Sequence, residues 1–245
     1  MEEDITSIYS EVESTRSICL KCERPQRVCW CEYVINPPIN LKKSKIVILQ
    51  HPNERKRPIR TAKILQQSLD TDDCLLFVRR KITSLELHDN LNAQEKSLRI
   101  LLNHPKAYIL FPKEDAYTPE DLVESIVDDE KIILIVLDGT WNEARKMYSW
   151  SPPLQKLPKM KLEIEAKSQF VVKTQPKDNC LSTVECVSYA LAKFENRPEI
   201  VEELTKPLLA LCSVQISHGA VKHDSLEFKR DIDTFEKQNC RRPLQ

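Results

Sequence analysis

Two kinds of hydrophobic pattern alternate along this chain from Lys45 onward. Short unbroken apolar runs are separated by stretches in which apolar residues recur every three or four positions. The first kind reads as strands buried on both faces, the second as helices packed along one face. Ile46-Val47-Ile48-Leu49, Cys74 to Val78, Ala107 to Phe111 and Lys131 to Leu137 are the runs, and Phe170-Val171-Val172 is a shorter one. Between Pro58 and Leu69, Ile59, Ala62, Leu65 and Leu69 share one helical face. Further helix starts are marked by capping residues: Asn92 before Glu95, Thr118 before Pro119, Thr140 before Glu143, and Ser182 before Glu185. The last of these helices turns Val184, Val187, Leu191 and Phe194 inward. Alternation of this kind predicts an α/β fold with a mostly parallel sheet.

One strand–helix junction concentrates chemistry. The run ending in Val136-Leu137 stops at Asp138-Gly139, and Thr140 with Glu143 forms a capping box that opens the next helix. A carboxylate, a small residue and the indole of Trp141 therefore meet at the carboxyl edge of a strand, where open α/β sheets hold their ligands. The same spacing also suits a plain helix cap beside a turn. The phosphatase signature Asp-x-Asp-Gly-Thr is excluded, because Val136 stands where the nucleophilic aspartate would be.

Composition narrows the chemistry further. The 245 residues are enough for a full core, and 37 basic residues balance 37 acidic ones, so no global field draws a polyanion. The two glycines, Gly139 and Gly219, cannot build a dinucleotide fingerprint, a classical methyltransferase loop or a P-loop. No apolar run approaches the roughly 20 residues needed to cross a bilayer. The acidic N-terminus lacks a signal-peptide pattern, so the nine cysteines point to a reducing, cytoplasmic or nuclear compartment.

Four of those cysteines cluster. Cys19, Cys22, Cys29 and Cys31 form C-x2-C then C-x-C, a set of soft ligands suited to a structural zinc, with an iron–sulfur cluster as the alternative. The other five are scattered and read as packing residues. The expected organisation is a polar lead-in over 1–18, a cysteine module over 19–40, a main domain over 41–226 and a charged tail over 227–245.

These motifs together resemble the DTW-domain family of tRNA-uridine aminocarboxypropyltransferases. Asp138-Gly139-Thr140-Trp141 is similar to the family signature, and Cys19-x2-Cys22-x-Arg24-Pro25-x3-Cys29-x-Cys31 to its zinc module. Gln50-His51-Pro52-Asn53-Glu54 with Arg60-Thr61-Ala62, Leu110-Phe111-Pro112 and Cys180-Leu181-Ser182-Thr183-Val184-Glu185 resemble its other blocks, in the expected order. With glycine second, the signature looks closer to the eukaryotic branch acting in the D-loop than to its sister branch.

The resemblance implies transfer of the 3-amino-3-carboxypropyl group of S-adenosylmethionine to N3 of a tRNA uridine, with release of methylthioadenosine. It also implies a SPOUT-like trefoil-knotted cofactor site, which needs no glycine-rich loop. Three loops are placed to form it: Leu110-Phe111-Pro112 with Lys113, Leu137 to Trp141, and Thr174 to Thr183. Leu110, Phe111, Pro112, Leu137, Gly139, Thr140, Trp141, Leu181, Ser182 and Thr183 are the expected donor-binding residues. Asp138 is the expected catalytic residue, either taking the N3 proton or holding the donor's ammonium. Trp141 either stacks on adenine or packs in the core.

Basic residues beside these strand ends suit RNA phosphates. Arg55, Arg57 and Arg60 around the turn of His51 and Glu54 form one expected RNA-binding set, and Arg145 with Lys146 a second. Arg79-Arg80-Lys81 and Arg241-Arg242 are less favourably placed. His218 beside Gly219 reads as a turn. Two other functions fit the same residues: a SPOUT-like RNA methyltransferase, and a non-catalytic zinc-containing RNA-binding protein. Oligomeric state is open, a monomer being compatible with the pattern.

Overall fold

The structure is a computed structural model that describes residues 17–124, 130–177 and 180–230. Arg241-Arg242 and most of the expected lead-in and tail lie outside the described residues. Five strands, β1 (Ser44–Gln50), β2 (Cys74–Val78), β3 (Ala107–Leu110), β4 (Ile132–Asp138) and β5 (Lys159–Met160), form one sheet in the order β2-β1-β4-β3-β5. Every pairing is parallel, as the double-sided apolar runs require. Helices follow as α1 (Ala62–Ser68), α2 (Ala93–Leu102), α3 (Pro119–Val123), α4 (Trp141–Ser149), α5 (Pro152–Lys156), α6 (Thr183–Phe194) and α7 (Glu199–Ser217).

Strand alternation divides the core in two. Ile46, Ile48, Leu134 and Val136 face α1, α6 and α7, where Leu65, Leu191, Phe194 and Leu208 meet them. Val47, Leu49, Ile133 and Ile135 face the opposite layer, with Leu98 and Leu102 of α2 and Met147 of α4. Residues of one parity on β1 and β4 thus share a face, which sends Gln50 and Asp138 toward the α6 side. The carboxyl edge of β1 and β4 is in register, Gln50 opposite Asp138.

Local boundaries depart from expectation at three places. The helix predicted from Pro58 begins only at Ala62, because Pro52–Lys56 winds into a 3-10 turn and Arg57 is extended. Phe170-Val171-Val172 is a turn and not a strand; Phe170 instead plugs the α6–α7 core, and the fifth strand is the two-residue β5 beside β3. Helix α7, which has Pro207 in its interior, carries Leu204, Leu208 and Leu211 into the same core. Gly219 closes it at φ 90°, a left-handed value that favours glycine, with His218 as the exposed C-cap.

The cysteine segment packs on α1 and α7. Trp30 is almost wholly buried within the α6–α7 core. Gln67 of α1 donates to Lys21 O at 2.8 Å, and Glu23 pairs with Arg60 and Lys63 at 2.7 and 2.9 Å. No described helix is long and apolar enough to cross a membrane.

Candidate active site

The site is built where β4 ends. Asp138 is the last residue of the strand, and its carbonyl accepts the His51 N–H at 2.8 Å, locking the end of β4 to the turn that follows β1. Its carboxylate is buried and clasped from two elements. Gln50 Nε2 of β1 donates to Oδ2 at 2.9 Å, and Thr183 Oγ1 of α6 donates to Oδ1 at 2.9 Å. The Asp-Gly-Thr-Trp loop and the Leu181-Ser182-Thr183 loop are thereby joined by a hydrogen bond. Burial pushes the Asp138 carboxyl up, against the two hydrogen bonds and the charges of Lys173 and Arg57.

Two further carboxylates stand beside it in different electrostatic states. Glu54 is buried, and burial together with the Asp138 charge pushes its pKa up, with Lys173 and Arg57 opposing. Burial also raises Glu143, but the Thr140 N–H, Asn53 Nδ2, the Thr140 hydroxyl and Arg57 outweigh it and hold the group at about 2. Arg57 bridges the two, ion-pairing with Glu54 and with Glu143 Oε2, the latter at 3.0 Å. His51 Nδ1 lies 3.4 Å from Glu143 Oε1 and faces the Asn53 N–H at 3.3 Å. One carboxylate is thus fixed as an anion while Asp138 and Glu54 are biased toward the protonated form, a separation that suits proton transfer.

Gly139 has an ordinary backbone conformation, so its need is steric. A Cβ there would lie 3.2 Å from Glu143 Cβ and 3.4 Å from His51 Cβ. Close approach of the β1 turn to the α4 cap is what requires the missing side chain.

The expected site residues divide clearly. Leu137, Gly139 and Thr140 share the β4 edge with Asp138, Ser182 caps α6, and Leu181 precedes it half-buried. Leu110 and Phe111 end β3, the parallel neighbour of β4; the Phe111 ring stacks on Tyr148 at 4.0 Å, and Pro112 is exposed. Trp141 is 38% exposed, which rules out the core role. Among the basic residues, Arg57 belongs to the carboxylate network. Arg60 is occupied by Glu23 of the cysteine segment, and Arg145 donates to Asn142 Oδ1 at 2.7 Å. Arg55 and Lys146 are exposed.

The cysteine cluster is assembled. The sulfurs of Cys19, Cys22, Cys29 and Cys31 all lie within 4.8 Å of one another, with Cys19–Cys31 at 3.7 Å and Cys22–Cys29 at 3.6 Å, and none is in a disulfide. A tetrahedral centre with metal–sulfur bonds of about 2.3 Å places its ligands about 3.8 Å apart. These four side chains can therefore hold one metal ion. The buried Arg24 guanidinium, whose Nη1 has no hydrogen-bond partner among the described residues, lies beside Cys22 and Cys29 and offsets thiolate charge.

Comparison with known proteins decides the family. The model of the DTW domain matches residues 16–216. This chain belongs to the DTW-domain family. It is 36% identical over 225 residues to tRNA-uridine aminocarboxypropyltransferase 2 of Drosophila melanogaster, covering 92% of this chain and 85% of the relative. The Mus musculus protein of the same name is 35% identical over 215 residues, with 87% and 68% covered. A more distant relative, tRNA-uridine aminocarboxypropyltransferase A of Arabidopsis thaliana, is 26% identical over 210 residues, with 76% of each chain covered. No solved structure matches this DTW domain.

Three residues of the candidate site stand outside the expected site set, although two of them lie within the motif blocks. Gln50 carries the same signal as Asp138, a polar residue closing a buried parallel strand, and the register makes the two neighbours. Lys173 has no such signal, since only its charge acts on Asp138 and Glu54, from a turn distant in sequence. Glu185 does more than cap α6: it also accepts from Ser168 Oγ at 2.8 Å and Gln169 N at 2.5 Å, tying that loop to the site.

Proposed function

We propose that this chain transfers the 3-amino-3-carboxypropyl group of S-adenosylmethionine to N3 of a uridine in tRNA, releasing methylthioadenosine. The observation that carries this reading is similarity along nearly the whole chain to relatives named for that activity. The site chemistry agrees with it. In the reaction N3 loses its proton and attacks the carbon next to the sulfonium; the N–C bond forms, the C–S bond breaks, and its electron pair stays on sulfur.

Both Asp138 oxygens already accept hydrogen bonds, so its role in this reading is to hold the donor's ammonium, whose charge would offset the cost that burial puts on its ionised form. Glu54, with its raised pKa and its position beside Asp138, is the proton acceptor we favour. The first turn of α6, with its free N–H groups, offers a seat for the donor carboxylate. Leu110, Phe111, Pro112, Leu137, Gly139, Thr140, Trp141, Leu181, Ser182 and Thr183 line the donor site in this reading. An all-parallel sheet, with these loops near one edge and no glycine-rich loop, supports a SPOUT-like knotted site.

Zinc is the ion we assign to the four cysteines, because four thiolates at tetrahedral separations leave no open position for catalysis. The main domain over 41–226 and the cysteine module over 19–40 form the working unit, acting on tRNA in the cytoplasm or nucleus. Nucleoside mass spectrometry of tRNA incubated with the protein and S-adenosylmethionine tests the reaction. A uridine bearing the aminocarboxypropyl group is expected. A methylated uridine would make it a methyltransferase, and unmodified tRNA would leave an RNA-binding protein without this activity.

A further inference from the structure

A cavity of about 280 Å³ opens at the carboxyl ends of β1 and β2 against α4. We infer that it holds one nucleotide of the substrate RNA, stacked on Trp150 with its phosphate between Arg80 and Lys146. This rests on the tRNA reading above and adds a location to it.

The lining has the chemistry of a nucleotide seat. Trp150, the C-cap of α4, leaves half of its surface exposed and supplies a stacking plane. Arg80 and Lys146 are exposed, and neither forms an ion pair among the described residues. Neighbouring Arg57 and Arg79, in contrast, are both paired with glutamates. Glu143 also borders the cavity, but Arg80 and Lys146 outnumber this one carboxylate, so the rim keeps a positive excess. His51 and Asn53 complete the polar wall, and Met147 forms a buried apolar base.

The same lining separates this cavity from the donor site. Asp138, Thr183 and the Leu110–Pro112 loop take no part in it. It nevertheless shares His51 and Glu143 with the network next to Asp138, so a nucleotide held here would lie alongside the reacting one. Its volume lies just below the range for small-molecule pockets, as suits a site that seats one base and leaves the phosphate at the rim. Trp150, Arg80 and Lys146 are therefore positioning residues, set to fix the strand and not to touch the reacting atoms.

The test uses the full-length protein, an unmodified tRNA transcript and methylthioadenosine as separate ligands. Trp150→Ala is expected to raise the Kd for tRNA about 5- to 100-fold, with Trp150→Phe restoring most of the affinity. Arg80→Glu with Lys146→Glu should lower the slope of log affinity against log salt by about 1.5, two contacts fewer. Affinity for methylthioadenosine should stay within twofold throughout, and in turnover the KM for tRNA should move more than kcat. All three side chains are exposed, so the charge variants fold even if Trp150→Ala does not. Unchanged tRNA affinity, or a loss that falls on methylthioadenosine instead, would overturn the proposal. If wild-type protein modified no uridine yet the variants still lost tRNA affinity, the transferase reading would fail and the nucleotide site would stand.

Discussion

Asp138 shows how one residue's surroundings select among roles that its position alone leaves open. A carboxylate at a strand end can take a proton, bind a cation or cap a helix. Here both oxygens are occupied, one by β1 and one by α6, and burial raises the group's pKa. A folded pKa above the unfolded value means that its ionisation opposes folding. The favourable contribution is complete below the unfolded pKa near 3.9 and is lost as pH rises through the folded value. Asp138→Asn should therefore melt no lower than wild type at pH 7, with its relative advantage shrinking on acidification. Transfer activity should fall by about a hundredfold or more, the loss expected when a preorganised charge-holding group is removed. A variant that melts much lower at pH 7 would show that the charge itself holds the β4 edge together.

Glu143 behaves in the opposite sense. Its pKa is depressed to about 2, so its interactions stabilise the fold above the unfolded pKa near 4.3 and are lost as pH falls toward 2. Glu143→Gln should cost on the order of 1–2 kcal/mol at pH 7 after solvent screening, and almost nothing near pH 2. Thermal melts of both proteins across that range check the sign. Equal destabilisation at both ends would assign the loss to packing and not to charge.

At the scale of elements, most of the sheet was legible in the chain. Runs such as Ile132 to Leu137 are buried on both faces, and only strands in a covered parallel sheet tolerate that. The capping boxes read at Thr140 and Ser182 both formed, and Thr118 makes one as well, because a local hydroxyl–carboxylate pair satisfies helix N–H groups whatever the tertiary context. Failures came where tertiary packing overrode local pattern. Phe170-Val171-Val172 reads as a strand from its β-branched residues, yet the segment turns and the α6–α7 core takes Phe170 instead. Helix α7 was obscured by Pro207, which breaks a helix in isolation but is tolerated here because its ring is buried. The β1 turn and the α4 cap touch at Gly139, and this contact is testable. Gly139→Ala should cost about 1–3 kcal/mol by overpacking and lower transfer activity through displacement of His51. A crystal structure of the variant with both caps unmoved would refute it.

Across the whole molecule, the site residues come from the ends of β1 and β4, the turn near Lys173 and the start of α6. Motif reading found those that lie in contiguous blocks; it ranked Arg80 low and could not find Lys173 or Trp150, whose surroundings are set by the sheet order. The cysteine segment belongs to this larger assembly. Trp30 is inserted in the core that α6 and α7 share, and Glu23 holds Arg60 and Lys63 of the segment that leads into and forms α1. Metal bound by the four thiolates would therefore stabilise the α1–α7 layer as well as its own loop. Chelation should lower the melting temperature, each kcal/mol lost corresponding to a drop of about 2–4 °C in a domain this size. The drop should reverse when zinc is restored. Affinity for methylthioadenosine should weaken less than tenfold at a temperature where the apo form stays folded, because Asp138, Gln50 and Thr183 hold one another without help from the cysteine segment. Loss of donor binding in folded apo protein would mean that the metal shapes the active site directly. An unchanged melting temperature would mean that the cysteine cluster, although assembled, carries no structural metal.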